Sequence, residues 1–175
     1  MLSSRLMANH QSPTSGPALA ELLRKGHSSN PWYGPATADL LADVSPSMAT
    51  EKPVADGHSI WEIVLHMTGW QREVARRLRG ATPSLPDEGD WPEPPAAGQE
   101  AWDQAQAALR ESLEQLADAV ASLSDQDFEA RIGTSSRPLG TGVTKAETVI
   151  GMLQHNAYHS GQIALLIKGL KGRRA

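Results

Sequence analysis

Proline is absent from three long windows of this chain, and its distribution constrains the fold more than any other feature. All 12 prolines lie outside residues 54–82, 96–137 and 139–175. A proline inside a helix costs about 3 kcal/mol, because it removes a backbone hydrogen bond and its ring clashes with the preceding turn. The windows are therefore where long helices can form, whereas the proline-rich residues 81–97 predict an irregular loop.

Apolar residues recur every three or four positions inside each window, as in an amphipathic helix. Two helix starts are marked by the capping-box pattern, in which a Ser or Thr is followed three residues later by Glu; these pairs are Ser59 with Glu62 and Thr144 with Glu147. We predict four main helices, at about 17–27, 60–79, 98–123 and 145–170. Short helical turns are expected near 35–43 and 125–128.

Four long helices without an alternating strand pattern predict an all-α bundle. A length of 175 residues suits one domain. We expect residues 17–175 to form this domain and residues 1–16, which are polar and aperiodic, to be a disordered tail. The last helix is apolar on nearly every side, so we expect it to lie at the centre of the bundle or against a second subunit.

Composition excludes several functions. The net charge of −4 argues against binding to nucleic acid or to an anionic membrane surface. The chain contains no cysteine, which excludes disulfides, thiolate metal sites and cysteine nucleophiles. Its first residues lack the apolar segment of a signal peptide, and its longest uncharged run, 148–167, contains polar side chains that are costly in lipid. We therefore expect a cytoplasmic protein.

Three of the six histidines are candidate metal ligands. His155 and His159 are four residues apart, which places both imidazoles on one helix face, close enough to share an ion. Their spacing alone leaves open whether they are ligands or hydrogen-bonded core residues. His66 supplies a third imidazole from another helix, and three ligands would leave one coordination position free, as in catalytic sites. The remaining histidines are expected to lie outside the site: His10, His27 and His58.

Other candidate site residues are carboxylates and tryptophans. Glu62 and Glu73 share approximately the helix face of His66. Each carboxylate could orient that imidazole or act as a general base, and each could equally be a solvated charge. Tryptophans are more often core residues than binding residues, but three are candidates to line a substrate pocket: Trp32, Trp70 and Trp91.

Two motifs resemble those of the DinB/YfiT-like metal-binding superfamily. Residues 57–67, Gly-His-Ser-Ile-Trp-Glu-Ile-Val-Leu-His-Met, resemble its second-helix motif, and residues 155–163, His-Asn-Ala-Tyr-His-Ser-Gly-Gln-Ile, resemble its last-helix motif. Residues 31–35 and 90–92 look like its Trp-containing loops. The resemblance covers about residues 17–170. It implies a DinB-like four-helix bundle of the up-down-down-up type, often a homodimer, with one divalent metal ion held by His66, His155 and His159.

The resemblance also implies a reaction class. The superfamily includes thiol-dependent transferases and maleylpyruvate isomerases that use low-molecular-weight thiols, and some members are labelled metal-dependent hydrolases. Our leading hypothesis is an enzyme in which Zn²⁺ or Ni²⁺ activates a small thiol for attack on a small-molecule substrate. The alternatives are a hydrolase that activates water at the same site and a non-catalytic, metal-stabilised dimer acting in stress response. An exchangeable fourth ligand would favour an enzyme, and a fourth protein ligand a structural site.

Overall fold

A computed structural model describes residues 14–134 and 141–173. Seven α-helices occupy these ranges: α1 (Gly16–Ser28), α2 (Thr37–Leu41), α3 (Pro46–Thr50), α4 (Ile60–Leu78), α5 (Gln99–Ala121), α6 (Asp125–Glu129) and α7 (Lys145–Gly172). Helices α1, α4, α5 and α7 are long, and the other three are about one turn each. No strand occurs in the described ranges, where Arg131 and Thr144 form an isolated bridge. The all-α prediction is confirmed.

The long helices begin and end within about two residues of their predicted positions. Both predicted capping boxes form, at Ser59 and at Thr144, with reciprocal hydrogen bonds between each cap and the Glu three residues later. Helix α3 was not predicted, although Ser45 caps it and a proline occupies its first turn. Most of the predicted tail lies outside the described residues, which begin at residue 14, and so does His10.

The long helices pack in a ring. Helix α4 contacts α5 and α7, and α1 contacts the same two helices from the other side. One core cluster joins the first halves of α4 and α5 to the second half of α7. A second cluster joins the later halves of α4 and α5 to α1 and to the beginning of α7. This pairing of helix ends favours the predicted up-down-down-up order.

Two buried tryptophans fix α4 against α5 close to His66. The rings of Trp61 and Trp102 are fully buried, with centroids 5.0 Å apart. The Trp102 indole N–H donates to the carbonyl of Val44 at 2.7 Å. Burying a large apolar side chain contributes roughly 1.5–3 kcal/mol. Because Trp61 lies little more than one turn before His66, this packing also holds the first part of α4, and therefore His66, in place.

Helix α7 has apolar side chains on both its inner and outer faces. Its inner face buries Val149, Met152 and Ile163, whereas Tyr158 and Leu165 are exposed. Polar residues interrupt its apolar positions, and no helix in the described ranges is long and apolar enough to cross a membrane.

Candidate metal centre

Helices α4 and α7 bring three histidines together: His66, His155 and His159, called here the histidine cluster. One nitrogen atom of each ring lies within 4.8 Å of the corresponding atoms of the other two rings. The Nε2 atoms of His66 and His155 are 3.0 Å apart. His66 belongs to the second turn of α4, and the other two lie one turn apart on α7. The three side chains could hold a metal ion between them.

Hydrogen bonds orient two of these rings. The Nδ1–H of His66 donates to the backbone carbonyl of Asp90 at 2.7 Å. The Nδ1–H of His159 donates to Oε1 of Gln162 at 2.6 Å. A neutral imidazole that donates from Nδ1 keeps a lone pair on Nε2, which is the form needed to bind a metal. These contacts therefore leave the Nε2 atoms of both rings available to a metal ion.

His155 is held differently. Its Nδ1 atom is buried and has no hydrogen-bond partner among the described residues. Its Nε2 atom faces the Nε2 atom of His66. Nε2 of His155 therefore points into the cluster, where an atom that binds the metal would have to lie.

Burial keeps the histidine cluster neutral. Loss of solvent, together with the neighbouring His66 ring, lowers the pKa of His155 to about 4. The pKa of His159 is lowered to about 4, first by burial and then by His155. Burial also lowers the pKa of His66, although Asp90 partly opposes the effect. All three rings are therefore neutral near pH 7, the protonation state in which imidazole binds metal.

Trp91 covers one side of the cluster. Its ring stacks on His66 with centroids 3.8 Å apart and planes inclined by 8°. His58 stacks on Trp91 at 3.5 Å, so the three rings form a layered stack. The expectation that His58 lies outside the site is therefore incomplete, because His58 supports the tryptophan that covers His66. Trp91 thus lies against the cluster, and its place in a substrate pocket stays a prediction.

A cavity of about 550 Å³ opens beside His66 and His155. Its walls include Trp70, Leu85 and Met152, and its volume suits a small molecule. The indole N–H of Trp70 donates to Oδ1 of Asp90 at 2.7 Å, which fixes that wall. We call this space the cluster cavity.

Trp32 lies elsewhere. Its side chain is fully exposed and lines a different cavity, whose walls include none of the three clustered histidines. Because a loop residue is placed by tertiary contacts, its sequence position could not distinguish one cavity from the other.

The carboxylate of Glu62 is used at the helix start. One oxygen pairs with Lys52 at 2.7 Å, and the other accepts the backbone N–H of Ser59 at 2.7 Å. These bonds lower the pKa of Glu62 although its partial burial acts to raise it. The structure therefore gives Glu62 a capping contact, and its role beside His66 stays a prediction.

Glu73 is buried, and its carboxylate bonds to two arginines and to the backbone instead of to a histidine. It pairs with Arg77 and Arg76, both at 2.8 Å, and accepts the backbone N–H of Ser84 at 2.7 Å. These contacts join α4 to the loop of residues 81–97, the 81–97 loop. A role for Glu73 at the histidines likewise stays a prediction.

The carboxylate nearest His66 is that of Asp90, with Oδ1 3.3 Å from Nδ1. Sequence reasoning missed Asp90, and it also missed Gln162. Gln162 follows His159 by three residues on the same helix, a spacing at which side chains meet, so this contact could have been predicted. Asp90 directly precedes Trp91 in the sequence, which could have drawn attention to it. That position does not show how the loop runs, so its contact with His66 could not be predicted.

Four long helices and three converging imidazoles define an all-α protein with a candidate metal centre. A family model described as the DinB superfamily matches residues 35–163, which include the whole histidine cluster. The chain belongs to the DinB superfamily. No curated protein and no solved structure matches it.

Proposed function

We propose that this protein is a metal-dependent enzyme in which His66, His155 and His159 hold one divalent ion beside a small-molecule pocket. The observation that carries the proposal is the convergence of three ring nitrogens within 4.8 Å. Asp90 and Gln162 support it, because they hold the far nitrogens of two rings. Neutral imidazoles suit Zn²⁺ and Ni²⁺, which are the ions we expect.

Three protein ligands leave room for an exchangeable one, and the cluster cavity lies beside two of the three histidines. A divalent ion bound there would supply a Lewis acid that lowers the pKa of a thiol or water molecule next to it. Trp91 shields the His66 ring from water on one face. The apolar walls of the cavity, including Leu85 and Met152, would bind the carbon skeleton of a substrate.

A thiol-dependent S-transferase or isomerase is the reaction class we favour, on the resemblance set out above. Because the chain has no cysteine, the thiol would come from a low-molecular-weight cosubstrate. Its sulfur would form a bond to an electrophilic carbon, and its proton would pass to the leaving group or to an adjacent carbon. The step needs neither an oxidant nor a reductant.

An activity comparison tests this proposal. The wild type and His155→Ala, each incubated with Zn²⁺ or Ni²⁺, are assayed with glutathione and 1-chloro-2,4-dinitrobenzene, and separately with 4-nitrophenyl acetate without thiol. Thiol conjugation above the level of His155→Ala supports a transferase. Ester hydrolysis without thiol supports the hydrolase alternative. Stoichiometric metal with neither activity favours the non-catalytic module and counts against an enzyme.

We also propose that the protein forms a homodimer through the outer face of α7. Three large apolar side chains are exposed on this face: Ile150, Tyr158 and Leu165. Gly151 and Gly161 lie on the same face and have open space at the Cβ position, so a second helix could approach closely. A two-fold axis would place this face against its own copy.

A further inference from the structure

A second cavity, of about 530 Å³, lies among α1, α4, α5 and α7. The side chains that line it include Leu23, Met67, Leu113 and Leu153, but no member of the histidine cluster. Cavities of roughly 300–1,000 Å³ accommodate small molecules. The bundle thus has a second cavity, separate from the cluster cavity, that is large enough for a small molecule.

His27 is the polar side chain that points to a ligand. It lines the second cavity and is only 7% exposed. Within the described residues its ring nitrogens make no hydrogen bond. No ring nitrogen of His27 is completely enclosed without a partner in the described structure, so a molecule in the cavity can reach the ring. Such a molecule could supply a hydrogen-bond partner in place of water.

Gln71 and Asn156, two buried polar side chains of the lining, are neutral and already hydrogen-bonded. The Ser112 hydroxyl donates to Oε1 of Gln71 at 2.7 Å, and the Gln71 amide donates to Oδ1 of Asn156 at 3.3 Å. Burial lowers the pKa of His27, so its ring is neutral near pH 7 and offers one donor and one acceptor. The inner part of the cavity therefore favours hydrogen bonding between neutral groups.

Charge excludes other ligand classes. Lys25 is the one charged residue among those that line the second cavity in the described structure, and its half-exposed ammonium lies 4.0 Å from the carboxylate of Glu21. Arg110 and Glu114 also act on the His27 ring, but their charges are opposite and shift its pKa in opposite directions. An ion placed beside His27 would therefore lose its hydration while one of these residues attracts it and the other repels it. A mostly apolar, uncharged molecule avoids this cost.

We propose that the second cavity binds a small, uncharged and mostly apolar molecule with one hydroxyl group, a phenol or an alcohol, that hydrogen-bonds to His27. Trp32 and Tyr33 line the same cavity. The Tyr33 hydroxyl packs so closely on Gly26 that a Cβ atom there would lie 2.8 Å from it. This contact holds the loop that contains Trp32 and Tyr33 beside the cavity. Trp32 would then belong to a binding site that is separate from the metal centre.

Calorimetric titration with three ligands of the same carbon frame tests the proposal: 4-ethylphenol, ethylbenzene and 4-ethylbenzoate. We expect 4-ethylphenol to bind about three- to tenfold more tightly than ethylbenzene, the gain of one buried hydrogen bond, and 4-ethylbenzoate to bind most weakly. Equal binding of the phenol and the hydrocarbon, tightest binding of the benzoate, or no binding of any ligand would overturn it.

Variants locate the ligand. His27→Phe keeps an aromatic ring but removes its nitrogens, so 4-ethylphenol should bind no better than ethylbenzene. Ala157→Leu places extra carbon atoms in the cavity lining and should weaken both ligands. His155→Ala should leave 4-ethylphenol binding unchanged. If His155→Ala abolished binding while His27→Phe and Ala157→Leu retained it, the ligand would be at the metal centre and the inference would be wrong.

Discussion

At the scale of residues, Asp90 and Trp91 are two consecutive loop residues that contact His66, one of the three histidines supplied by α4 and α7. The Asp90 carbonyl fixes the far nitrogen of His66, its carboxylate holds Trp70, and the Trp91 ring lies flat on His66. Such contacts fix the orientation of an imidazole and raise its basicity toward a metal. The loop therefore sets the direction of the His66 lone pair.

Replacing Asp90 with Ala is expected to lower Zn²⁺ affinity by roughly tenfold. The substitution removes the negative charge beside His66 and releases Trp70, but the backbone carbonyl that accepts from His66 remains. Competition with a chromophoric chelator measures the affinity. Asp87→Ala, at an exposed position of the same loop, is the matched control and should bind like the wild type. Equal affinities for the two variants would contradict this role of Asp90.

The metal-free protein should lose stability as the pH falls from about 6.5 toward about 4. Folding lowers the pKa of His155 and His159 from 6.5 to about 4, so within this window the unfolded chain binds protons that the folded chain does not. Protons then favour unfolding. Urea unfolding with a chelator at several pH values measures the slope. The double variant His155→Gln, His159→Gln should show a shallower slope, and an unchanged slope would refute the assignment.

At the scale of elements, the sequence predicts the helices well because their signals are local. The proline-free windows, the apolar spacing and the caps at Ser59 and Thr144 determine where the long helices lie. The 81–97 loop has no such period, and its path depends on contacts with α4 that are visible only after folding. The three histidines could therefore be predicted from helix faces, whereas the positions of Asp90 and Trp32 could not.

Glu73 shows how such a contact determines the path of a loop. Its carboxylate joins Arg77, also almost fully buried, to the backbone of Ser84. We expect Glu73→Ala to lower the free energy of unfolding by about 3–5 kcal/mol, because it removes the carboxylate that balances the buried Arg77 charge. The exposed pair of Arg72 with Glu88 provides the control.

Glu88→Ala removes a carboxylate from the same loop, but its ion pair is exposed to solvent and screened. Its effect should stay below about 1 kcal/mol. Guanidinium unfolding of both variants measures the difference. Similar losses for the two substitutions would show that Glu73 does not anchor the loop.

At the scale of the whole molecule, the outer face of α7 is expected to bring two chains together. Sedimentation at micromolar concentration should give a dimer for the wild type. Leu165→Glu places a charge on this face, where the native side chain is 71% exposed, and should yield monomers with unchanged helix content. Leu22→Glu, on an exposed apolar position of α1, should remain dimeric. A monomeric wild type would refute the homodimer.

The two core clusters account for the stability of the bundle without reference to the histidines. Both clusters consist of apolar side chains, and α4 and α7 contribute to both. Helix packing is therefore expected to survive loss of a ligand. Metal binding and folding can be separated by experiment for this reason.

The most direct test of the central claim is the metal-to-protein ratio of purified wild type and single-histidine variants, measured by elemental analysis together with circular dichroism. The wild type should carry about one divalent ion per chain, and His66→Ala, His155→Ala and His159→Ala should carry almost none with the helical signal preserved. His27→Phe, a histidine outside the cluster, should keep full metal. His58→Ala is a poorer control, because His58 packs on Trp91. Full metal occupancy in His66→Ala would contradict the three-histidine site. Unfolding of all three ligand variants would show that the metal has a structural role.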